Sequence, residues 1–253
     1  MPTPSRVDTR LTALRLLLAA LLVTLPSFAV SAGTLEFSPE SAVRAAEVTR
    51  GDSSAAGTAI SAAGWTQPIR GGVSTALLSL ALEATAHAVE RGEATNPRTL
   101  TVIDFSKPST EKRLWVYDLR SHELLFHEHV AHGRGSGENL PTQFSNVPES
   151  NRSSLGLFRT GEAYIGKHGL SMRLDGLERG INDRARERAI VVHGADYVNA
   201  ATARAQGRLG RSLGCPAVRP EIASALIAAI KDGGLLFAYY PDQKWLKTSK
   251  YLS

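Results

Sequence analysis

Cys215 is the only cysteine in this chain of 253 residues. It lies in the run Gly207-Arg208-Leu209-Gly210-Arg211-Ser212-Leu213-Gly214-Cys215-Pro216-Ala217. Glycine beside a nucleophile lets backbone approach a substrate closely and can aim amide N–H groups at one point. The amides of Gly214 and Cys215 are therefore candidates for an oxyanion hole. Arg208 and Arg211 are near the thiol in sequence, where a cation favours thiolate, the reactive form. A thiol nucleophile also needs a base within hydrogen-bond reach. Seven histidines offer one: His87, His122, His127, His129, His132, His168 and His193. His193 is the best placed, because it ends the apolar run Ala189-Ile190-Val191-Val192 and is followed by Gly194. A strand end opening onto a loop holds a reactive side chain on a rigid support. His168, between Gly166-Lys167 and Gly169, is the second choice for a site role, and His132 could line the same cleft. His122, His127 and His129 read as sheet-surface residues and His87 as solvated on a helix. No His-x-x-x-His pair and no second cysteine support a metal site, so the expected site needs neither metal nor cofactor. There is no Gly-x-Ser-x-Gly elbow. Gly133-Arg134-Gly135-Ser136-Gly137 lacks the ending of a phosphate loop.

The elements that must position these residues follow from periodicity. Residues 74–91 are predicted helical, with Leu77, Leu78, Leu80, Ala81, Ala84, Ala88 and Val89 near one face and Gly92 as the stop. Strands are predicted at 99–105, 113–119, 124–131, 157–160, 189–193 and 235–240, the second and third forming a hairpin. The fully apolar 190–192 run predicts a central strand. A Gly/Ser/Asn-rich loop is expected over 132–155. A helix is expected over 220–231, with Pro220 in its first turn and Ile222, Leu226, Ile227 and Ile230 on its buried face.

The first residues have a different character. Arg6, Arg10 and Arg15 precede an apolar stretch at 16–25, then Pro26 and the small residues of Val30-Ser31-Ala32. This reads as a cleavable secretory signal over 1–32, its apolar core too short to span a bilayer. The expected divisions are a signal peptide at 1–32, a low-complexity tether at 33–72, an accessory helix at 73–96 and a catalytic domain at 97–253. Without residues 1–32, which carry three Arg and one Asp, the net charge falls from +5 to +3. The charges are scattered, with no basic stripe interleaved with aromatics, so nucleic acid is not an expected partner. In an oxidising compartment paired cysteines become disulfides. A single thiol there is retained for chemistry or packed as a small hydrophobe.

His193-Gly194 followed 22 residues later by Cys215, within Ser212-Leu213-Gly214-Cys215, resembles the signature of the L,D-transpeptidases of bacterial peptidoglycan. With 190–197 and 210–217, and with Val130-Ala131-His132-Gly133, Phe144-Ser145-Asn146, Ser153-Ser154-Leu155-Gly156 and His168-Gly169-Leu170-Ser171, the chain resembles a divergent branch, the murein L,D-transpeptidase catalytic-domain proteins. The resemblance spans about residues 97–250. It implies a mainly β, YkuD-like β-sandwich with long loops and a packed helix, preceded by a small helical leader. It implies Cys215 as nucleophile, His193 as base, the Gly194 carbonyl orienting the imidazole, and oxyanion or substrate contacts from Gly214, Ser212, Arg211 and His168. Two departures stand out. Leu213 occupies the place of a family histidine, which bears on acceptor choice, and Pro216 replaces the usual Ile or Val.

The expected reaction is acyl transfer through a Cys215 thioester with a stem peptide, passed on to an amine of a second stem or of a wall-anchored protein. The alternatives are a thiol-dependent L,D-carboxypeptidase or hydrolase that trims stems or releases wall-linked proteins, and a wall-binding module with a structural Cys215. The expected location is periplasmic or extracellular, at the cell wall, without stable membrane insertion after signal cleavage.

Overall fold

The computed structural model describes Trp65 and residues 72–252, all within Glu40–Ser253, one of the two compact units of the chain. The expected signal peptide and almost all of the expected tether lie outside the described residues. The elements run α1 (Thr75–Glu90), β1 (Thr99–Asp104), β2 (Leu114–Asp118), β3 (Leu124–Glu128), a 3-10 turn (Arg134–Ser136), β4 (Gly156–Gly166), β5 (Gly169–Gly176), β6 (Val191–Gly194), α2 (Ala200–Gln206), β7 (Ala217–Val218), α3 (Pro220–Ile230), β8 (Leu235–Tyr239) and α4 (Gln243–Thr248). The fold is mainly β, with few helices. Among the described residues no helix is long and apolar enough to cross a membrane.

Eight strands form one sheet in the order β3-β2-β1-β8-β4-β5-β6-β7. β1 and β8 pair in parallel, as do β6 and β7, and the other neighbours are antiparallel. The two ends of the sheet are tied together where the chain leaving β3 returns, since Ala131 bridges Ala217 of β7. A closed sheet leaves few unpaired edge amides. The interior of the fold holds Leu100, Val102, Trp115, Leu157, Phe237 and Leu235, all fully buried.

Two helices seal this core. In α3, Pro220 opens the first turn and Ala223, Leu226, Ile227 and Ile230 are buried. Each fully buried Leu or Ile contributes about 1.5–3 kcal/mol relative to exposure. In α1 the Ser74 hydroxyl accepts the Leu77 amide at 3.1 Å, a cap that satisfies one free amide of the first turn. Leu77, Leu78, Ala81 and Leu82 then pack into the same core as the strands. His87 is not solvated as expected, because its Nδ1 donates to the Tyr251 carbonyl at 2.8 Å and ties α1 to the end of the chain.

Three differences from the sequence reading bear on the site. β4 is far longer than the expected 157–160 and turns at Lys167-His168 into β5, which the pattern hides. Its glycines read as loop, and its polar positions pair as ions across the hairpin, Arg159 with Asp175 and Arg173 with Glu162. β6 is not central. It lies beside the two-residue β7, next to last in the order, and is apolar because α3 packs against it. Gly194 allows this close approach, since a Cβ there would fall 2.9 Å from the Ala223 Cβ and 3.2 Å from the Pro220 Cα.

Candidate active site

β6 and β7 pair, which joins the chain segments that carry the two predicted residues. His193 pairs with Ala217 in the parallel register, and Cys215 enters β7 two residues earlier. His193 is 2% exposed. Its Nδ1 is 2.9 Å from the Gly194 carbonyl oxygen. A carbonyl only accepts, so Nδ1 carries the hydrogen and the neutral ring presents Nε2 as its basic nitrogen. The His168 ring at the tip of the β4–β5 hairpin stacks on the His193 ring, with centroids 4.5 Å apart and planes at 24°. Burial pushes the His193 pKa below the usual histidine value, the Gly194 carbonyl opposes this, and His168 adds to the lowering.

Cys215 is the free thiol of the site and is half-buried. Its Sγ donates to the Ala189 carbonyl at 3.7 Å. Ala189 has a φ of +52°, a left-handed conformation that costs a non-glycine residue of order 1 kcal/mol and turns the chain into β6 beneath the sulfur. Burial raises the thiol pKa, while the Val191 N–H and the charge of Arg188 lower it. Both shifts favour the neutral forms, a thiol and a neutral imidazole, over a thiolate and an imidazolium.

The segment carrying the thiol is laced to two loops. Ser212 donates its amide to the His132 carbonyl at 3.0 Å, and Arg134 donates its amide to the Ser212 carbonyl at 2.8 Å. The Ser153 hydroxyl accepts the Gly133 amide and donates to the Gly214 carbonyl, at 3.0 and 3.1 Å. Gly214 has a φ of +129°, and a Cβ on it would lie 2.9 Å from the Arg152 carbonyl oxygen, so only glycine fits.

Several of the predicted site residues are engaged within the protein. The Gly214 N–H donates to the Ser212 hydroxyl at 3.1 Å and is engaged, so it is not a free oxyanion donor in this state. Ser212 in turn donates to the Cys215 carbonyl at 2.6 Å, so its hydroxyl shapes the cysteine turn. Arg211 and Arg208 do not serve the thiol, because both are held by Glu138, at 2.6 and 2.8 Å. The arginine facing the sulfur is Arg188, which the sequence reading missed. Tyr197 was missed as well. Its phenol senses the charge of Cys215, which with burial raises its pKa. Leu213, in the place of the family histidine two residues before the thiol, is 62% exposed.

His132 lines no cleft. It is buried, accepts from Arg113 Nη2 at 2.7 Å through Nδ1 and donates through Nε2 to the Gly137 carbonyl at 3.3 Å. Burial and the Arg113 charge lower its pKa from 6.5 to about 4. The unfolded chain therefore binds a proton that the folded ring resists. Stability falls as pH drops from about 6.5 through about 4, by about 3 kcal/mol from this group. Urea unfolding of wild type and His132→Gln across that window checks this, with the variant expected to lose less stability on acidification and equal losses refuting it.

The L,D-transpeptidase catalytic-domain family matches residues 70–239, a span that holds β1 through β8, both histidines of the stack and Cys215. Solved structures with a similar fold include an L,D-transpeptidase from Mycobacterium smegmatis, at 15% identity and a TM-score of 0.35 over 56% of this chain and 59% of that one. L,D-transpeptidase 1 of Mycobacterium tuberculosis aligns at 13% identity and a TM-score of 0.32, over 56% and 62%. The helical cell shape determining protein Pgp2 of Campylobacter jejuni aligns at 10% identity and a TM-score of 0.37, over 61% and 55%. The chain thus spans less than two thirds of the length of each. No curated protein matches it.

Proposed function

The chain belongs to the L,D-transpeptidase catalytic-domain family, and from that premise we propose that it is a cysteine acyl-transferase acting on the stem peptides of peptidoglycan, outside the cytoplasm. The observation that supports this reading is the β6–β7 pairing, His193 against Ala217, which joins the strand of the imidazole to the segment of the single thiol, with the Nδ1–H held by the Gly194 carbonyl. With Nδ1 occupied, Nε2 is the atom that takes the Cys215 proton. The sulfur then turns from the Ala189 carbonyl toward the substrate and attacks the carbonyl that joins an L-centre to a D-amino acid. The bond to the D-amino acid nitrogen breaks, His193 Nε2 returns its proton to that amine, and a Cys215 thioester remains. An acceptor amine loses a proton to Nε2, attacks the thioester and regenerates the thiol. Because the resting imidazole is neutral and its pKa lowered, it is ready to act as base at neutral pH.

The neutral thiol matters to this sequence. Attack and deprotonation are coupled, so chemistry begins when substrate brings sulfur and imidazole into line and not before. The exposed apolar Leu213, two residues before the nucleophile, is suited to cover the thioester once an acyl chain lies across it, which favours amine over water as acceptor.

Incubating the full protein with disaccharide-tetrapeptide units and reading products by mass spectrometry tests this. Cross-linked dimers that have lost one D-amino acid per link are the expected products. Shortened monomers alone would make the protein a carboxypeptidase of the same thiol chemistry, and unchanged substrate would overturn the reading.

A further inference from the structure

Arg184, Arg186 and Arg188 alternate along the turn-rich segment before β6, and their partners differ. Arg184 meets Glu187 at 3.1 Å, and Arg186 meets both Asp175 and Glu162. Arg188 is half-buried and has no acidic partner among the described residues. Its Nη1 donates to the Ser145 carbonyl at 2.7 Å and to the Ser154 hydroxyl at 2.6 Å. Its Nη2 donates to the Arg152 carbonyl at 2.6 Å and to the Ser150 hydroxyl at 3.3 Å. Four neutral oxygens fix the guanidinium in place without cancelling its charge. A half-buried cation left uncompensated costs stability unless an anion forms beside it. The fork lies against the residue before the nucleophile, since a Cβ on Gly214 would be 3.4 Å from Nη2, and its charge acts on the thiol. The next residue, Ala189, supplies the carbonyl that holds the resting thiol.

We propose that Arg188 is a positioning residue for the reaction, a fixed counter-charge for the Cys215 thiolate that also pins the 145–154 loop around the nucleophile. This rests on Cys215 being the nucleophile. When the thiol proton passes to His193 Nε2, the sulfur acquires a negative charge next to a guanidinium already in place. No side chain needs to reorganise at that step. The other groups facing the sulfur do not supply a positive charge at rest. Tyr197 is a neutral phenol held above its usual pKa. His193 is a neutral ring with His168 stacked behind it. The Val191 N–H contributes a dipole only. The fork geometry also explains why arginine stands here, since lysine has one nitrogen and cannot bridge Ser145, Ser154 and Arg152 together.

The test is the pH dependence of Cys215 alkylation by iodoacetamide in the full chain, followed by intact mass. Arg188→Gln keeps two polar atoms for the loop but removes the charge. It is expected to move the alkylation inflection up by about one pH unit and to lower the rate near neutral pH about tenfold. Arg188→Lys keeps the charge, so its inflection is expected within about half a unit of wild type even though the loop contacts weaken and thermal stability drops. An Arg188→Gln inflection that stays at the wild-type position, with only stability lost, would overturn the proposal. If the glutamine variant does not fold, the lysine variant decides, because a full-unit upward shift in it would assign the thiol pKa to loop geometry and not to charge. Alkylation reports on the thiol independently of turnover. A failure of the functional reading would show separately, as undiminished turnover in a Cys215→Ala variant.

Discussion

Replacing Cys215 with alanine is expected to lower stem-peptide turnover by at least about 10³–10⁴-fold, to the level of the uncatalysed reaction in the assay, while leaving the protein folded. The size follows from the role. A covalent nucleophile is not one contributor among several; without it the ping-pong path does not exist, and the remaining donors can only bind substrate. Stability changes little because the side chain is half-buried and its hydrogen bond to the Ala189 carbonyl is a long sulfur contact. The turn that carries it is held by neighbours that remain, Ser212 on the Cys215 carbonyl and Ser153 on the Gly214 carbonyl. Serine is an instructive second variant. Its hydroxyl fills nearly the same space, but its far higher pKa leaves no anion for Arg188 to stabilise, so Cys215→Ser is expected to be almost as inactive as alanine. Turnover rates with matched unfolding midpoints check both. A variant that keeps more than a few per cent of wild-type turnover would remove Cys215 from the chemistry.

Cys215 and His193 stand out in the sequence as candidates because each carries a local mark. One is the sole thiol behind a glycine, and the other closes an apolar run. The helices α1 and α3 were legible for the same reason, since their stop and start residues, Gly92 and Pro220, bracket an apolar periodicity. What escaped notice depends on contacts between distant segments. Arg188 looks like its neighbours Arg184 and Arg186, and only the folded chain shows that it has oxygens around it and no carboxylate. Arg211 sits four residues from the thiol, yet Glu138, far off in sequence, draws it away. The Gly214 amide was a natural oxyanion donor until the Ser212 hydroxyl, two residues back, was seen to occupy it. β5 hid because its polar positions, solvated in an isolated strand, are paired across the hairpin to β4. The position of β6 near the end of the sheet order was likewise beyond reach, since apolar composition reports that both faces are covered and not whether strand or helix covers them.

His193→Gln is expected to reduce turnover about 10²–10⁴-fold and, more tellingly, to change the shape of its pH dependence. In the wild type, activity is lost on acidification as Nε2 takes a proton. Burial and the stacked His168 hold that pKa below the ordinary value of 6.5, so the acid limb lies on the low side of it and activity is full at neutral pH. Glutamine can keep a hydrogen bond to the Gly194 carbonyl but cannot accept a proton. Without the base, the sulfur must ionise unaided, and its pKa is raised by burial. The residual rate should therefore lack that acid limb and should climb with pH toward the thiol pKa. His168→Ala provides the contrast. It leaves the base in place but removes a neighbour that disfavours imidazolium, so the acid limb should persist and move upward, toward 6.5. If the limb instead survives unchanged in His193→Gln and vanishes in His168→Ala, the proton goes to the hairpin histidine, and the β6 ring is only its platform. The structure argues for the first outcome. His193 is fixed at a strand end with its Nδ1–H spoken for, while His168 is an exposed residue at a hairpin tip whose ring rests on it.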